Sequence, residues 1–331
     1  MTGKPLLSIV CPAYQEEEVL PIFHAELSAT LRELEAEFAL EILYVDDGSR
    51  DRTLPVLKQM GIADSRIRFL SLSRNFGHQA ALTAGLEHAR GDLIISMDSD
   101  LQHPPAVVPK LLAKWREGYD IVLTVREEDP RLGWFKRTTS RLFYRVMGWF
   151  SDTDIRIAAS DFRLLTRKAL DAMLRMKETH RFLRGIVRWI GFPTAELPFA
   201  PDERRAGKSK YTFRKMLTLA ADGFYSFTTL PLRLPNLLGV VVLAAGAVWG
   251  LAFLWQSLRG TLETPLLTVY LVLANHLIGG GGLLALGILG EYVGRIYEQS
   301  KGRPLYLVKD CSEEFADGVR WADAPRNREA A

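Results

Sequence analysis

The sequence is poor in cysteine and has no excess of charge of one sign. Its 331 residues include two cysteines, Cys11 and Cys311, which lie near opposite ends of the chain. Since this spacing fits neither a disulfide framework nor a cysteine metal site, a reducing compartment facing the cytosol is the simpler interpretation. Lys and Arg number 42 against 39 Asp and Glu. That balance does not indicate a protein that binds nucleic acid.

Two common nucleotide-binding motifs and a secretory signal are also missing. Neither G-x-G-x-x-G nor a Walker lysine follows the predicted strands, so a dinucleotide dehydrogenase and a P-loop NTPase are not supported. The first apolar run stops at Pro12, which makes it too short for the core of a signal peptide. Because 48% of the residues are hydrophobic, intrinsic disorder is excluded as well.

The first 125 residues alternate short apolar runs with helical patterns. The predicted strands are Leu6–Cys11, Glu41–Val45, Arg66–Leu72, Leu93–Met97 and Ile121–Val125. The predicted helices are Val19–Glu37, Arg52–Met60, Gln79–Arg90 and Pro105–Glu117. This rhythm predicts an α/β domain with a mainly parallel sheet and helices on both faces. Ligands of such sheets bind beyond the carboxyl ends of the strands.

Polar and acidic residues follow four of these strands. They lie in the segments 12–16, 46–51, 74–77 and 98–102. Asp98 and Asp100 could hold a hard divalent ion through their oxygens, and Mg²⁺ or Mn²⁺ there would stabilise a diphosphate leaving group. Each pattern alone fits a simpler interpretation, because D-x-D pairs often cap turns and Asp46-Asp47-Gly48 fits a turn before a helix. Their joint occurrence favours a site.

Two long uncharged blocks occupy the last third of the chain. Residues 234–258 and 264–290 number 25 and 27 and carry no Asp, Glu, Lys or Arg. As helices they would extend roughly 37 and 40 Å, more than a bilayer core requires. A transmembrane hairpin is therefore predicted, a buried core helix being the alternative. Seven basic residues in 204–233 and four in 295–309 flank the blocks, while the loop 259–263 has one. This places both termini in the cytoplasm, with the protein in the cell inner membrane.

A segment before the hairpin has the pattern of a helix at the membrane surface. Residues 131–150 contain five basic and no acidic residues, interleaved with aromatics, and Arg137, Arg141 and Arg145 recur at every fourth position. One cationic stripe beside aromatic rings is typical of a helix in the headgroup plane. An ordinary surface helix with a basic face is the alternative. The predicted organisation is a core at 1–128, an acceptor-side part at 129–232, a hairpin at 233–292 (spans near 234–258 and 265–290) and a cytoplasmic strand and tail at 293–331.

Motifs along most of the chain carry a resemblance to one enzyme family. They are S-I-V-C-P-A-Y-Q-E-E at 8–17, Y-V-D-D-G-S at 44–49, S-R-N-F-G at 73–77 and D-S-D-L-Q-H-P-P at 98–105. These resemble the family 2 glycosyltransferases, which have a Rossmann-like GT-A fold. Further motifs are A-S-D-F-R-L-L at 159–165, R-R-A-G-K-S-K-Y at 204–211, L-G-E-Y-V-G-R-I-Y at 289–297 and R-P-L-Y at 303–306. With the two spans, they resemble the polyprenyl-phosphate branch, which includes dolichol-phosphate mannose synthases and undecaprenyl-phosphate glucosyltransferases.

The resemblance implies roles for individual residues. The nucleotide sugar would contact Pro12, Tyr14, Glu16, Asp46, Asp47, Asn75, Gly77, Asp98 and Ser99. The metal ion, Mg²⁺ or Mn²⁺, would be held by Asp98, Asp100 and Gln102, and Asp100 and Asp161 would be catalytic. The acceptor phosphate or the donor diphosphate would contact Arg126, Lys136, Arg137, Arg204, Ser209 and Lys210. Asp161 is either a base or a structural carboxylate paired with Arg163 or Lys168. The basic cluster at 204–210 is either a phosphate loop or a positive-inside anchor.

The activity implied is an inverting, metal-dependent transfer of a hexose to a polyprenyl phosphate such as undecaprenyl phosphate. Glucose from UDP-glucose is expected, with mannose from GDP-mannose, N-acetylhexosamine and aminoarabinose-type sugars as alternatives. A processive polysaccharide synthase is a second alternative, although Gly185 replaces the glutamine of its Q-x-x-R-W motif before Arg188-Trp189. A non-enzymatic membrane scaffold is a third. A homotetramer is expected from the resemblance, with a strand at Arg303–Val308 added to the sheet of a neighbouring chain.

Overall fold

A computed structural model describes residues 3–126, 159–178, 181–200 and 264–312, together with single positions between 239 and 259. The predicted interfacial segment at 131–150, most of the first predicted span and the tail after 312 lie outside the described residues. The chain divides into two compact units, of which one contains the sheet and the other the helix at 264–300.

The first half of the described chain has the predicted alternation of strands and helices. Its elements are β1 (Leu6–Ala13), α1 (Leu20–Arg32), β2 (Ala39–Asp46), α2 (Thr53–Ala63), β3 (Ile67–Leu72), α3 (His78–His88), β4 (Leu93–Ser96), a 3₁₀ turn (Pro105–Val107), α4 (Val108–Arg116) and β5 (Ile121–Arg126). All five strands and four helices expected before residue 126 are present, with ends shifted by a few residues. The apolar runs are therefore strands buried in a sheet, as their Ile, Leu and Val content predicted.

The second half of the described chain adds four elements that the sequence pattern did not reveal. They are β6 (Ala159–Thr166), α5 (Arg167–Leu174), α6 (Leu183–Trp189) and β7 (Thr194–Phe199). Two further elements, α7 (Thr264–Ser300) and β8 (Val308–Cys311), correspond to the helix expected at 265–290 and the strand expected at 303–308. The strand expected at 303–308 is thus displaced toward the C-terminus. It pairs antiparallel with β3 of its own chain, whereas the sequence interpretation had assigned it to the sheet of a neighbouring chain.

The sheet of the described residues has eight strands in the order β7-β5-β6-β4-β1-β2-β3-β8. Strands β4, β1, β2 and β3 run parallel to their neighbours in that series. Strand β6 enters antiparallel between β4 and β5. The fold is therefore an α/β fold with a mixed, mostly parallel sheet. Because β1, β2 and β4 are adjacent and parallel, their carboxyl ends meet at one edge.

Close packing of α3 on the sheet fixes the start of that helix relative to the strand ends. A Cβ atom at Gly85 would lie 2.3 Å from Cγ1 of Val10 and 3.0 Å from Cγ2 of Val45. Only glycine lets the helix approach β1 and β2 so closely. As a result, His78 at the first turn of α3 lies beside the residues that follow β4.

Helix α7 is the longest described element, with 37 residues. Among the residues that the structure describes, no helix meets the length and hydropathy required to cross a membrane.

Candidate active site

The ends of β1, β2 and β4 bring three of the predicted segments side by side. Ala13 pairs with Asp46 in the register of β1 and β2, and the N–H of Asp47 donates to the carbonyl of Ala13 at 2.9 Å. On the other side, the N–H of Met97 donates to the carbonyl of Val10 at 3.0 Å. The Ser99 hydroxyl then donates to the carbonyl of Pro12 at 2.9 Å. The sheet edge therefore gathers these segments as the strand order requires.

Asp46 and Asp47 are both buried and organise the loops around them. The carboxylate of Asp46 accepts from the N–H of Ser49 at 3.0 Å and from the hydroxyl of Ser71 at 2.7 Å. The carboxylate of Asp47 accepts from the Asn75 side chain at 2.8 Å and from the N–H groups of Phe76 and Gly77 at 2.8 and 3.0 Å. Burial raises the pKa of Asp47 to about 6, against the opposing effect of the Phe76 and Gly77 hydrogen bonds.

The same contacts bring Asn75 and Gly77 into the site from β3. Gly77 has φ +100° and directly precedes α3, so its N–H bond to Asp47 sets where that helix begins. Gly48 has φ +64°, and a Cβ atom there would lie 2.3 Å from the carbonyl carbon of Arg74. The D-D-G and N-F-G motifs therefore form one interlocked pair of loops.

The segment after β1 is fastened to the segment after β2. The N–H of Gln15 donates to the Ser49 hydroxyl at 2.9 Å, and the N–H of Glu16 donates to the Thr53 hydroxyl at 3.0 Å. Gln15 adopts φ +55°, a left-handed conformation that is uncommon for residues with a side chain. Tyr14 lies next to it and is half-buried. The predicted nucleotide-side residues thus belong to one continuous polar rim.

The D-S-D-L-Q turn after β4 presents oxygen ligands. The N–H of Gln102 donates to Oδ1 of Asp100 at 3.1 Å, and Nη2 of Arg126 donates to Oε1 of Gln102 at 2.9 Å. Asp98 is about a third exposed, with 31% of its side-chain surface accessible. Leu101 is buried at φ +65°, whereas its neighbours Asp100 and Gln102 are half-buried. Arg126, predicted to contact phosphate, thus lies at this turn.

These donors fit a hard divalent cation shared with a substrate. Among the described residues, no group of three or more His, Cys, Asp or Glu side chains is placed to hold a metal ion alone. Magnesium sites in enzymes that act on nucleotides commonly use one or two carboxylates and complete their coordination with substrate phosphates and water. The carboxylates of Asp98 and Asp100 and the amide of Gln102 supply that type of oxygen set.

A buried histidine fixes the backbone of this turn. Nδ1 of His103 accepts the N–H of Asp98 at 2.8 Å, so the ring proton is assigned to Nε2, which donates to the hydroxyl of Ser160 at 2.8 Å. Burial lowers the pKa of His103, which agrees with a neutral ring. The ring also stacks on Phe162 at a centroid distance of 5.1 Å. His103 therefore joins the D-S-D turn to strand β6.

Asp161 lies on β6 with its carboxylate almost fully enclosed by donors. Arg184 donates through Nε to Oδ1 at 3.2 Å and through Nη2 to Oδ2 at 2.8 Å. Arg163 donates to Oδ1 at 2.5 Å, and Gln79 donates to Oδ2 at 3.4 Å. Burial would raise the pKa of Asp161, but Arg184, His78 and Arg163 together hold it well below its usual range.

Of the two structural partners expected for Asp161, only one is found. Arg163 binds it, whereas Lys168 lies 3.5 Å from Asp120. A carboxylate with a strongly lowered pKa is a weak base. The contacts therefore favour a role in orienting Arg184 and His78 over a role in removing a proton.

His78 joins the two halves of the site. Its Nε2 atom lies 3.5 Å from Oδ1 of Asp98 and 3.5 Å from Oδ2 of Asp161. Burial would lower the pKa of His78, but the charges of Asp98 and Asp161 outweigh it and raise the pKa to about 9. In the metal-free chain this favours an imidazolium ring at neutral pH. It links the turn predicted to bind metal with the carboxylate of Asp161, which was predicted to be catalytic.

Sequence reasoning missed His78, Gln79, His103 and Arg184. A usable signal existed for His78 and His103, because each lies in or directly beside a motif that was recognised. No local signal marks Arg184, which reaches Asp161 from a separate helix. The other predicted phosphate contacts, Lys136, Arg137, Arg204, Ser209 and Lys210, lie outside the described residues.

The sequence was compared with family profiles and with known proteins, and the matches are glycosyltransferases. The profile described as glycosyl transferase family 2 matches residues 8–174. A glycosyltransferase of Bacillus subtilis named YkcC, itself uncharacterized, is 39% identical over 302 residues, covering 91% of this chain and 93% of the relative. The bactoprenol glucosyl transferase of Shigella phage SfX is 36% identical over 306 residues, covering 92% and 98%.

Among solved structures, the glucosyl-3-phosphoglycerate synthase of Mycobacterium tuberculosis, in complex with Mn²⁺, UDP and glucosyl-3-phosphoglycerate, was matched with a TM-score of 0.44. It is 19% identical and covers 66% of this chain and 76% of that chain.

Proposed function

This chain belongs to glycosyl transferase family 2, and we propose that it transfers a hexose from a nucleotide sugar to a polyprenyl phosphate. The main support for this proposal is the sequence match to bactoprenol glucosyl transferases over 92% of the chain, since bactoprenol is a polyprenol. The chain is a glycosyltransferase with a GT-A-like α/β fold. UDP-glucose is the proposed donor.

The polar rim at the sheet edge is the proposed place of the donor. The segments at 12–16, 46–49 and 75–77 would line the nucleoside, and Asp98, Asp100 and Gln102 would hold Mg²⁺ or Mn²⁺ against the diphosphate. When bound, that ion would neutralise the diphosphate and stabilise it as a leaving group. Arg126, beside Gln102, adds a positive charge to the same phosphate position.

The acceptor chemistry agrees with the state of Asp161. A phosphate monoester has its second pKa near 6 and is largely a dianion at neutral pH. One of its oxygens forms a bond to the anomeric carbon as the bond to the diphosphate oxygen breaks on the opposite face, and the configuration is inverted. No proton has to be removed. A sugar hydroxyl as acceptor would need a base, and the enclosed, weakly basic carboxylate of Asp161 is poorly suited to that task.

The membrane location of the enzyme is proposed from the sequence alone. We propose that residues 234–258 and 265–290 form a transmembrane hairpin in the cell inner membrane, with the catalytic domain and both termini cytoplasmic. An acceptor phosphate cannot leave the headgroup layer without exposing its isoprenoid chain to water, so the site has to lie at the membrane surface. A homotetramer remains part of the proposal.

A donor screen tests the function. Membranes containing the full chain are incubated with radiolabelled UDP-glucose, GDP-mannose or UDP-N-acetylglucosamine, with and without added undecaprenyl phosphate. The proposal predicts label in the organic extract only when the lipid is present, highest with UDP-glucose. Label in a water-soluble polymer formed without the lipid would contradict it and favour a polysaccharide synthase.

A further inference from the structure

The R-P-L-Y motif at 303–306 has no role in the site described above, yet its tyrosine is one of the largest buried side chains. Tyr306 is 1% exposed and packs in an apolar cluster with Val308, Leu72 and Ala84. Its hydroxyl donates to Oε2 of Glu87 at 2.7 Å. A buried hydroxyl aimed at a carboxylate is a strong and directional contact.

Glu87 also binds a third residue, Arg181. Its other oxygen, Oε1, accepts from Nη1 of Arg181 at 3.3 Å. The Arg181 side chain is only 8% exposed, and that of Glu87 is 20% exposed. Two carboxylate oxygens thus bind two different partners, one from the C-terminal segment and one from the segment that leads into α6.

The segment that begins at Arg181 reaches the site within three residues. The N–H of Leu183 donates to the side chain of Gln79 at 3.3 Å, and its carbonyl accepts from Arg163 at 3.2 Å. The next residue, Arg184, binds both oxygens of Asp161. The position of Arg184 therefore depends on a short stretch of chain that Glu87 holds at its start.

The C-terminal segment itself is firmly attached to the sheet. The N–H of Ser73 donates to the carbonyl of Leu307 at 2.9 Å, and the N–H of Ser312 donates to the carbonyl of Phe69 at 3.1 Å. Lys58 adds an ion pair with Asp310 at 2.6 Å. Tyr306 is thus held on a fixed strand, from which it can fix Glu87 in turn.

We infer that Tyr306 is a positioning residue of the transfer reaction, acting through Glu87 and Arg181 to place Arg184 on Asp161. This inference rests on the proposed function for its kinetic consequence. Its structural consequence is independent of the substrate: loss of the hydroxyl should loosen the segment 181–189 and leave the nucleotide side of the site unchanged.

The test compares Tyr306→Phe with the wild-type full chain, and uses Tyr119→Phe as the matched control, because Tyr119 is partly buried in a different cluster. Amide hydrogen exchange is expected to become faster in peptides covering 181–189 in Tyr306→Phe and to stay unchanged in Tyr119→Phe. In transfer assays kcat is expected to fall about tenfold, because a small displacement of Arg184 from Asp161 disturbs the geometry of the site. The KM for the nucleotide sugar is expected to stay within about twofold, because phenylalanine keeps the apolar packing of Tyr306 in the cluster that Phe76 of the rim also contacts.

Unchanged exchange at 181–189 would overturn the inference, as would a kcat equal to that of the wild type. A kcat loss matched by an equal loss of nucleotide binding would also overturn it, since that pattern reports a smaller folded fraction. If Tyr306→Phe does not fold, the same measurements are made on Glu87→Gln. A wild-type chain that transfers no sugar to polyprenyl phosphate contradicts the proposed function, whereas the exchange measurement still decides the role of Tyr306.

Discussion

Arg184 binds both carboxylate oxygens of Asp161, through Nε at 3.2 Å and Nη2 at 2.8 Å. The two residues lie on different elements, with Asp161 on β6 and Arg184 on α6. A bidentate pair fixes the plane of both groups as well as their distance. The side chain of Arg184 is 29% exposed and that of Asp161 4%, so Arg184 is the more accessible member of a largely buried pair.

Arg184→Lys is expected to reduce transfer by about 10–100-fold, because lysine keeps the charge but loses the fork that binds both oxygens. Initial rates at saturating donor with varied lipid acceptor measure the effect. The control is Arg188→Lys on the same helix, where Arg188 pairs with the exposed Glu196; its activity is expected to stay near that of the wild type. Equal losses in both variants would contradict a specific role for Arg184.

Gly48→Ala is expected to destabilise the chain far more than Gly118→Ala. Both glycines have positive φ, but a Cβ at Gly48 would lie 2.3 Å from the Arg74 backbone, whereas nothing lies within 4 Å of a Cβ at Gly118. Gly118→Ala therefore carries only the conformational cost, about 1–2 kcal/mol. Gly48→Ala must also separate the two loops that Asp47 joins. Thermal unfolding and nucleotide binding by the purified chains measure the difference, and similar values for the two variants would show that the loops are not interlocked.

The stability of the metal-free chain is expected to fall as pH rises toward 9. Folding raises the pKa of His78 to about 9 from about 6.5 in the unfolded chain, so the folded state binds the proton more tightly. The stabilisation from protonated His78 is complete below about pH 6.5 and is lost as the pH rises through the pKa of the folded chain. Thermal unfolding in EDTA at a series of pH values measures this loss. His78→Gln is expected to flatten this part of the profile, and an unaltered slope in that variant would contradict the ion-pair assignment.

The proposed nucleotide side of the site could be predicted from sequence because its parts follow adjacent parallel strands. Once Leu6–Ala13, Ala39–Asp46 and Leu93–Ser96 are strands of one parallel sheet, the residues after them have to meet at the same edge. Asp46, Asp98 and Ser99 were placed there by this rule alone. Their hydrogen bonds could not be foreseen, because whether Asp47 binds a ligand or binds Asn75 depends on loop geometry.

The surroundings of Asp161 could not be predicted in the same way. Strand β6 begins 33 residues after the end of β5 at Arg126 (159 − 126) and runs antiparallel between β4 and β5, a position that periodicity does not reveal. Arg163, on the same strand, was expected as a partner of Asp161, but its other partners come from distant parts of the chain, at 78–79 and 184. Likewise, the pairing of Tyr306 with Glu87 joins residues 219 positions apart. Such contacts follow from tertiary packing, which no local pattern encodes.

The most direct test of the central claim is the product formed by the purified full chain from labelled UDP-glucose and undecaprenyl phosphate, with wild type and Asp100→Ala compared in Mg²⁺ and in EDTA. The account predicts a single-sugar lipid phosphate, identified by mass spectrometry, for the wild type in Mg²⁺. It predicts none in EDTA and none for Asp100→Ala, although that variant should unfold at the wild-type temperature. Undiminished product from Asp100→Ala, or a labelled polymer in place of the sugar lipid, would contradict the account.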